Sequence, residues 1–330
     1  SYRYDKFIQQ FILISFYIIA YSIIFKLIGK DINNIFKKYL AVSYYVAILG
    51  IFQLFLYLVF HINIFGFLYH NSITSFGSYL IRISSVIDEP GYLSIVLTPA
   101  ISYYILYDFF PLNIRKFIIF SVFLMTYSAI SFLVLGIIIL YKFRNNVKRL
   151  FIITTCIILI IVFIPTSNSS DKSTDIDNIT MRLEDSVEGM QYFDPFYFEN
   201  LNLSSYALIS NLWVAVHAPN RIFGTGLGTH EENYLKTYKS NVDFYGLNSK
   251  DAYSLFTRIF SEFGIVGLLI LFIFIFKCFN KKSVINICAF FLLFSFILKG
   301  GHYVRYGLIF WSFMYFYSRK QLTTLKDVRV

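Results

Sequence analysis

The strongest constraint on this chain is the recurrence of long apolar blocks separated by short loops that carry its cations. Such blocks occupy residues 7–28, 39–60, 92–110, 117–141, 150–164, 263–279, 285–298 and 306–317. A helix needs about 20 apolar residues to cross a bilayer, fewer where neighbours shield it. Lipid offers no partner to an unpaired backbone group, so helices are the expected form of every block. Composition agrees with a lipid-solvated chain. Charged residues make up 15% and apolar residues 57% of the 330 positions, where a soluble domain carries roughly a quarter charged.

The formal net charge of +10 raises the question of nucleic acid, and its distribution answers it. Residues 166–250 hold eleven Asp or Glu against six Lys or Arg, leaving that stretch near −5 and the remainder near +15. The cations gather in loops between apolar blocks, the pattern by which cytoplasmic loops retain Lys and Arg. No nucleic-acid partner is expected.

Loop charge also settles how the block at 117–141 is read. Arg115 and Lys116 precede it, and Lys142, Arg144, Lys148 and Arg149 follow it. A single crossing would place one cluster outside, so two short helices turning near Thr126, Tyr127 and Ser128 are predicted. The cationic loops at 30–38, 115–116, 142–149 and 277–282 and the 319–329 tail then face the cytoplasm. The segments 61–91, 166–262 and 299–302 face outward. The predicted fold is an all-α polytopic membrane protein of about nine or more transmembrane helices with one large extracytoplasmic loop. Three regions follow: N-terminal transmembrane helices at 1–165 with a short outer loop at 61–91, the large loop at 166–262, and C-terminal helices with a basic tail at 263–330. Ser1, with no cleavable signal pattern, leads us to expect that processing or truncation has removed the true start, with room for helices upstream.

Within the large loop, residues 166–178 are rich in Ser, Asn and Asp and read as a polar linker. Leu208, Leu212 and Ala215 suggest a short amphipathic helix at 204–218 lying on the membrane surface. Cys156, Cys278 and Cys288 lie in or beside apolar blocks, which excludes a disulfide framework or zinc spacing in the loop. No internal repeat of the kind that builds two-fold transporters is visible.

Ionisable residues at the outer helix ends are the first candidates for chemistry, because charge near the membrane is costly to keep. Arg82 and Glu89 flank the entry to the block at 92–110, and Pro90 holds Glu89 at a corner. His302 and Arg305 stand three apart, on one face of the last helix if it has begun there. A glycine-rich run spans 220–230, where Gly224, Gly226 and Gly228 would let backbone N–H groups form an anion nest bracketed by Arg221 and His230. Arg182 and His217 are further candidates in the loop. Asp175 and Asp177 form an acidic pair in a solvated, outward segment where the metal-holding role of such pairs is not expected. Walker loops, paired-Cys metal spacing and Ser–His–Asp order are absent from the sequence.

Three stretches resemble the bacterial O-antigen polymerase and ligase group of lipid-linked glycan transferases. They are Asp88-Glu89-Pro90-Gly91, the Thr126-Tyr127-Ser128-Ala129 turn, and residues 220–228 followed about thirty residues later by Ser261-Glu262-Phe263-Gly264-Ile265-Val266-Gly267. The order and the single large loop before the last helices match as well. Two departures favour the polymerase branch. Tyr253 and Ser254 stand where ligases carry a His-Asn pair, and Ala129 replaces the Arg of the turn motif.

The resemblance implies a multi-pass protein of the bacterial cytoplasmic membrane whose site faces the periplasm or exterior. Its substrates would be undecaprenyl-diphosphate-linked oligosaccharides, joined into surface polysaccharide without nucleotide, metal or cofactor. Membrane lipids, a chain-length regulator and a flippase are the implied partners. Arg82, Arg182, Arg221 and Arg305 would stabilise the departing diphosphate. Glu89, His230 and His302 are the candidate catalytic bases, Glu89 first by placement. Tyr245 and Tyr253 could stack on sugar. The alternatives are a ligase delivering glycan to lipid A core or protein, and a lipid-linked oligosaccharide flippase, which would place polar residues deep within several helices.

Overall fold

The computed structural model describes residues 2–28, 31–62, 64, 75–76, 80–146, 185, 187–198 and 201–320. The regular secondary structure of the described residues is helical apart from one antiparallel pair of two-residue strands. In chain order the elements are α1 (Tyr2–Ile28), α2 (Ile32–Phe60), β1 (Ser75–Phe76), β2 (Leu80–Ile81), α3 (Pro90–Tyr107), α4 (Ile114–Met125) and α5 (Ala129–Phe143), then α6 (Pro195–Phe198), α7 (Leu203–Val216), α8 (His230–Thr237), α9 (Leu255–Cys278), α10 (Val284–Leu298) and α11 (Leu308–Ser318). Three of them, α1, α2 and α9, are long and apolar enough to cross a membrane, and α5, α7, α10 and α11 are shorter apolar helices. This is a helical membrane protein. The block expected at 150–164 lies outside the described residues.

The chain divides into two compact units. One holds residues 1–32 and 181–322, the other residues 33–180 and 323–330. The first apolar helix is therefore grouped with the last three, a pairing that sequence order does not suggest.

In the unit of residues 33–180, α3 is the central element and buries nearly its whole length. Pro90 opens it at a position where the missing N–H costs nothing. Pro99 lies in its interior, and Ser94, Thr98 and Ser102 each donate back to a carbonyl of the same helix. Tyr39 donates to the Val96 carbonyl at 2.6 Å, tying α2 to α3. The apolar block at 117–141 splits as the charge argument predicts, into α4 and α5 with a turn at 126–128. Tyr127 takes a left-handed φ of 43° at that turn, and the Thr126 hydroxyl bonds to the Phe123 carbonyl at 2.8 Å.

The other unit contains α1 and α6 to α11. Two corrections to the sequence reading matter for the site. Helix α9 begins at Leu255, eight residues before the apolar block at 263, because Ser254 caps it by accepting from Thr257 N at 3.1 Å. It is kinked at Gly264, whose φ of 64° and ψ of −159° are not helical. The last helix begins later than expected, at Leu308, after Gly307 with φ 81°. His302 and Arg305 thus belong to the 299–307 loop rather than to a helix face.

Helix α7 forms as expected, and of the expected stripe Ala215 is fully buried. Tyr206, Ile209 and Val214 are fully buried and Leu208 and Leu212 only half so. With Phe198, Tyr234 and Tyr238, the side chains of Tyr206, Ile209 and Val214 make an aromatic core that packs α7 into this unit. Aromatic side chains bury large areas on few rotatable bonds, which suits a short segment that must hold its shape.

At the opposite ends of α9 and α11, Asn286 of α10 joins three elements. Its Nδ2 donates to the Tyr315 carbonyl at 2.8 Å and the Cys278 carbonyl at 3.0 Å. Its Oδ1 accepts from Asn280 N at 2.7 Å. An Asn286→Leu variant strands these groups in an apolar surrounding, and at about 1 kcal/mol per bond lost it should destabilise by ~2–4 kcal/mol. Thermal unfolding in nanodiscs measures this, and an unchanged midpoint contradicts it.

Candidate functional site

The first turns of α9 carry the densest chemistry in the described residues. Arg258 and Glu262 are one helical turn apart and nearly sealed from solvent, at 4% and 1% exposure. Arg258 Nε donates to Glu262 Oε1 at 3.1 Å, Nη1 to the Gly301 carbonyl at 2.6 Å, and Nη2 to Gln10 Oε1 of α1 at 3.0 Å. Tyr303 donates to Glu262 Oε2 at 2.8 Å, and its ring lies 4.2 Å from the guanidinium carbon. Burying two ions is costly, and it holds only when the geometry pairs them and fills their remaining hydrogen bonds. Here α1, α9 and the 299–307 loop each supply part of that shell.

Beside it, Asp251 and His302 form a second pair, Nε2 to Oδ2 at 3.1 Å. Asp251 is buried and His302 half-buried. The carboxylate accepts, so the ring proton is assigned to Nε2, which makes Nδ1 the basic nitrogen. Backbone packing forces this juxtaposition. Gly300 N donates to the Tyr253 carbonyl at 2.8 Å, and a Cβ on Gly301 would fall 1.4 Å from the Asp251 carbonyl oxygen. Asn248, Ala252, Tyr253 and Tyr306 all adopt left-handed φ values between 54° and 62°, conformations that cost non-glycine residues energy and persist where the surroundings impose them. Lys299 Nζ sits 5.8 Å from the centre of the Tyr253 ring. Lys6 of α1 pairs with Glu231 of α8 and lies within electrostatic reach of Lys250 and Arg258.

The glycine run has a different role from the anion nest expected of it. Gly226 N donates to the Glu262 carbonyl at 2.8 Å, Thr225 N to the Ser261 carbonyl at 3.3 Å, and Gly224 N to the Asn220 carbonyl at 2.8 Å. In return Ile265 N and Val266 N donate to the carbonyls of Arg221 and Ile222 at 2.9 and 3.1 Å. The run is a backbone splice across the α9 kink. A Cβ on Gly224 would stand 2.3 Å from the Glu262 backbone, and one on Gly264 would stand 2.3 Å from the Ile222 oxygen. Both positions need glycine for space as well as for positive φ. Gly228 packs against the Gln10 side chain, where a Cβ would come within 3.3 Å.

His230 is buried at 1% exposure. Asn211 spends its Nδ2 on the carbonyls of Ala207 and Leu247 at 2.6 and 3.1 Å, so its Oδ1 must accept from His230 Nε2 at 3.0 Å. Burial first, then the nearby Arg258 charge, hold the imidazole down at about 3 against a smaller opposing pull from Asp251. It is therefore neutral at physiological pH, with Nε2 engaged by Asn211.

The remaining expected site residues fall as follows. Arg82 and Glu89 are half-buried and belong to the unit of residues 33–180; Arg82 Nε donates to the Thr126 carbonyl at 3.1 Å, and Glu89 caps α3 through its backbone. Arg221 and Arg305 are exposed in the other unit. Tyr245 is part of the aromatic core and donates to the Tyr238 carbonyl at 2.7 Å, which occupies it structurally. Tyr253 is half-buried at the Asp251–His302 turn. His217 is exposed and stacks on Trp213 at 4.1 Å. Arg182, Asp175 and Asp177 lie outside the described residues. Among the described residues, no group of three His, Cys, Asp or Glu side chains could hold a metal ion.

Sequence reasoning passed over Arg258, Gln10, Tyr303, Asp251 and Lys6. The available signal was the Arg258–Glu262 spacing of four at the mouth of an apolar helix. The chain matches no family model, no curated protein and no solved structure.

Two measurements test this arrangement. Glu262→Ala leaves the Arg258 guanidinium buried without its counter-charge and should cost ~3–5 kcal/mol, while the double variant Arg258→Met/Glu262→Leu should recover most of that. A thermal-unfolding cycle reads both, and an additive outcome rejects the pairing. His230 has its folded value depressed from 6.5 to about 3. Its stabilising contribution is therefore complete above pH 6.5 and lost as pH falls toward 3, because the unfolded chain binds a proton that the folded one does not. Wild type should lose more stability between pH 7 and pH 5 than His230→Gln does.

Proposed function

We propose that this protein joins lipid-linked glycan units at the outer face of a bacterial cytoplasmic membrane, as a surface-polysaccharide polymerase using undecaprenyl-diphosphate-linked donors. The observation that carries the reading is a single polar cluster, with the Arg258–Glu262 pair buried beside the Asp251–His302 pair, where apolar helices α1 and α9 begin. A flippase would spread charged groups along a pathway through its helices; among the described residues of this unit the buried ion pairs gather at one end.

In this reading His302 is the general base. Asp251 fixes its tautomer, and Nδ1 takes the proton from the acceptor sugar hydroxyl as that oxygen attacks the anomeric carbon of the donor glycan. The bond from the anomeric carbon to the lipid diphosphate breaks, and the diphosphate leaves with the electron pair. Arg305, Arg221 and Lys250 are exposed cations of the same unit and can meet that growing charge. Arg258 has its nitrogens engaged within the protein, so it is a positioning residue that holds Glu262, Tyr303 and the 299–307 loop in place. Glu89 and Arg82 then serve in the other unit, Glu89 at the start of α3 and Arg82 against the α4–α5 turn. Stacking on sugar passes from Tyr245 to ring faces that reach solvent, such as Tyr192 and Tyr197, which stack on one another at 4.6 Å.

The test is the surface-glycan profile of cells lacking the gene, complemented with wild type, His302→Ala or Asp251→Asn. Wild type should restore a ladder of repeats, while His302→Ala should slow chain growth by about 10²–10⁴-fold and leave mostly single units. A full ladder with both variants sinks the assignment of the base. Loss of all surface glycan while lipid-linked polymer accumulates identifies a ligase instead, and single units trapped on the inner leaflet identify a flippase.

A further inference from the structure

Helices α1, α9, α10 and α11 line a half-open cavity of about 390 Å³, within the ~300–1,000 Å³ range of small-molecule sites. Ile14 of α1, Ile259 and Phe274 of α9, Ile297 of α10 and Ile309 of α11 contribute to its walls. Of the fourteen lining residues, twelve are aliphatic or phenylalanine; the others are Tyr303 and Ser312. Both hydroxyls are already committed. Tyr303 donates to Glu262 at 2.8 Å and Ser312 to the Leu308 carbonyl at 2.9 Å.

A cavity holds water when it offers two to four polar partners, and an apolar one stays dry and takes apolar guests. Nothing in this lining invites water, a sugar or a phosphate. Two of its walls, α1 and α9, are helices apolar enough to stand in a bilayer, so the guest at hand is hydrocarbon. Tyr303 also gives the cavity a direction. It is the one lining residue bonded into the charged cluster, so a chain in the cavity has the Arg258, Asp251 and His302 groups at that end.

We propose that this cavity binds one hydrocarbon chain of a membrane lipid, with the polar end of that lipid on the Tyr303 side. The inference rests on the lining and the helices and not on the glycan reading; it stands if that reading fails. The straight acyl chain of a phospholipid and a branched isoprenoid chain share the required chemistry.

The experiment uses the full chain in nanodiscs and two photoactivatable probes. One is phosphatidylglycerol with a diazirine on its acyl chain, the other a prenyl diphosphate with a diazirine on its isoprenoid chain. Crosslinks are mapped by mass spectrometry. Labelling is expected at Ile259, Phe274 or Ile309, and it should fall about tenfold when Ile259→Phe and Ile309→Phe together fill the space. Labelling at Leu269 and Phe276, which are exposed and are not among the lining residues, should persist in that variant. Ser312→Leu, a smaller filling change, repeats the comparison should the double variant fail to fold. Capture of the acyl probe alone assigns the site to phospholipid, capture of the isoprenoid probe alone assigns it to polyprenyl lipid, and capture of both shows a chain site without branch selectivity. Absence of lining crosslinks with either probe, or crosslinks that the filling variants leave unchanged, overturns the proposal.

Discussion

A guanidinium and a carboxylate buried together at the mouth of an apolar helix set the terms for everything around them. Neither Arg258 nor Glu262 can rely on water, so each remaining hydrogen-bonding position must find a protein partner. Those partners come from places far apart in the chain: Gln10 from α1, and the Gly301 carbonyl and the Tyr303 hydroxyl from the loop before α11. The pair therefore acts as a clamp on the first helix, the ninth and a loop near the end of the chain. Because Arg258 is consumed by this task, on the proposed reading contact with the lipid diphosphate falls to other cations.

Glycine extends the same constraint to the backbone. Helix α9 must change direction just after Glu262, and it does so at Gly264 while the run at 220–228 lies against the kink. The kink frees carbonyls and N–H groups that a straight helix would have paired internally. Thr225, Gly226, Arg221 and Ile222 take them up, which is the accounting that any buried backbone demands. Gly301 makes the equivalent approach to Asp251, and the left-handed residues at 248–253 are held in place by that contact. The Asp251–His302 pair is thus a product of two backbones meeting, and its geometry depends on side chains that are not there.

Polar and apolar functions meet at Tyr303. Its hydroxyl belongs to the ion-pair shell, and its ring lines the cavity between α1, α9, α10 and α11. On the proposed reading a hydrocarbon chain and a charged reaction centre are placed end to end, which is what a lipid-linked substrate requires. Far from that centre Asn286 holds α9, α10 and α11 together, so the wall of the cavity is fixed at both ends.

Much of the architecture was legible from sequence because membrane solvation acts on each segment separately. Hydropathy located α3, α10 and α11 to within about three residues, and the ends of α1 and α2. The starts of those two, at Tyr2 and Ile32, precede the apolar blocks because polar first turns extend the helices, and α2 takes in most of the cationic loop expected at 30–38. Loop charge split 117–141 into α4 and α5, since each of these signals is local. The site was less legible. The glycines at 224–228 looked like an anion nest because the sequence cannot say whether an N–H faces a ligand or another strand of chain; only the approach of Gly264 decided it. Arg258 and Gln10 sit 248 positions apart, and His302 finds Asp251 across a helical hairpin. Hydrophobic pattern determined which segments become helices. Which charges become partners was decided by tertiary structure, because a buried ion takes whatever group packing brings within about 3 Å, however far away it lies along the chain.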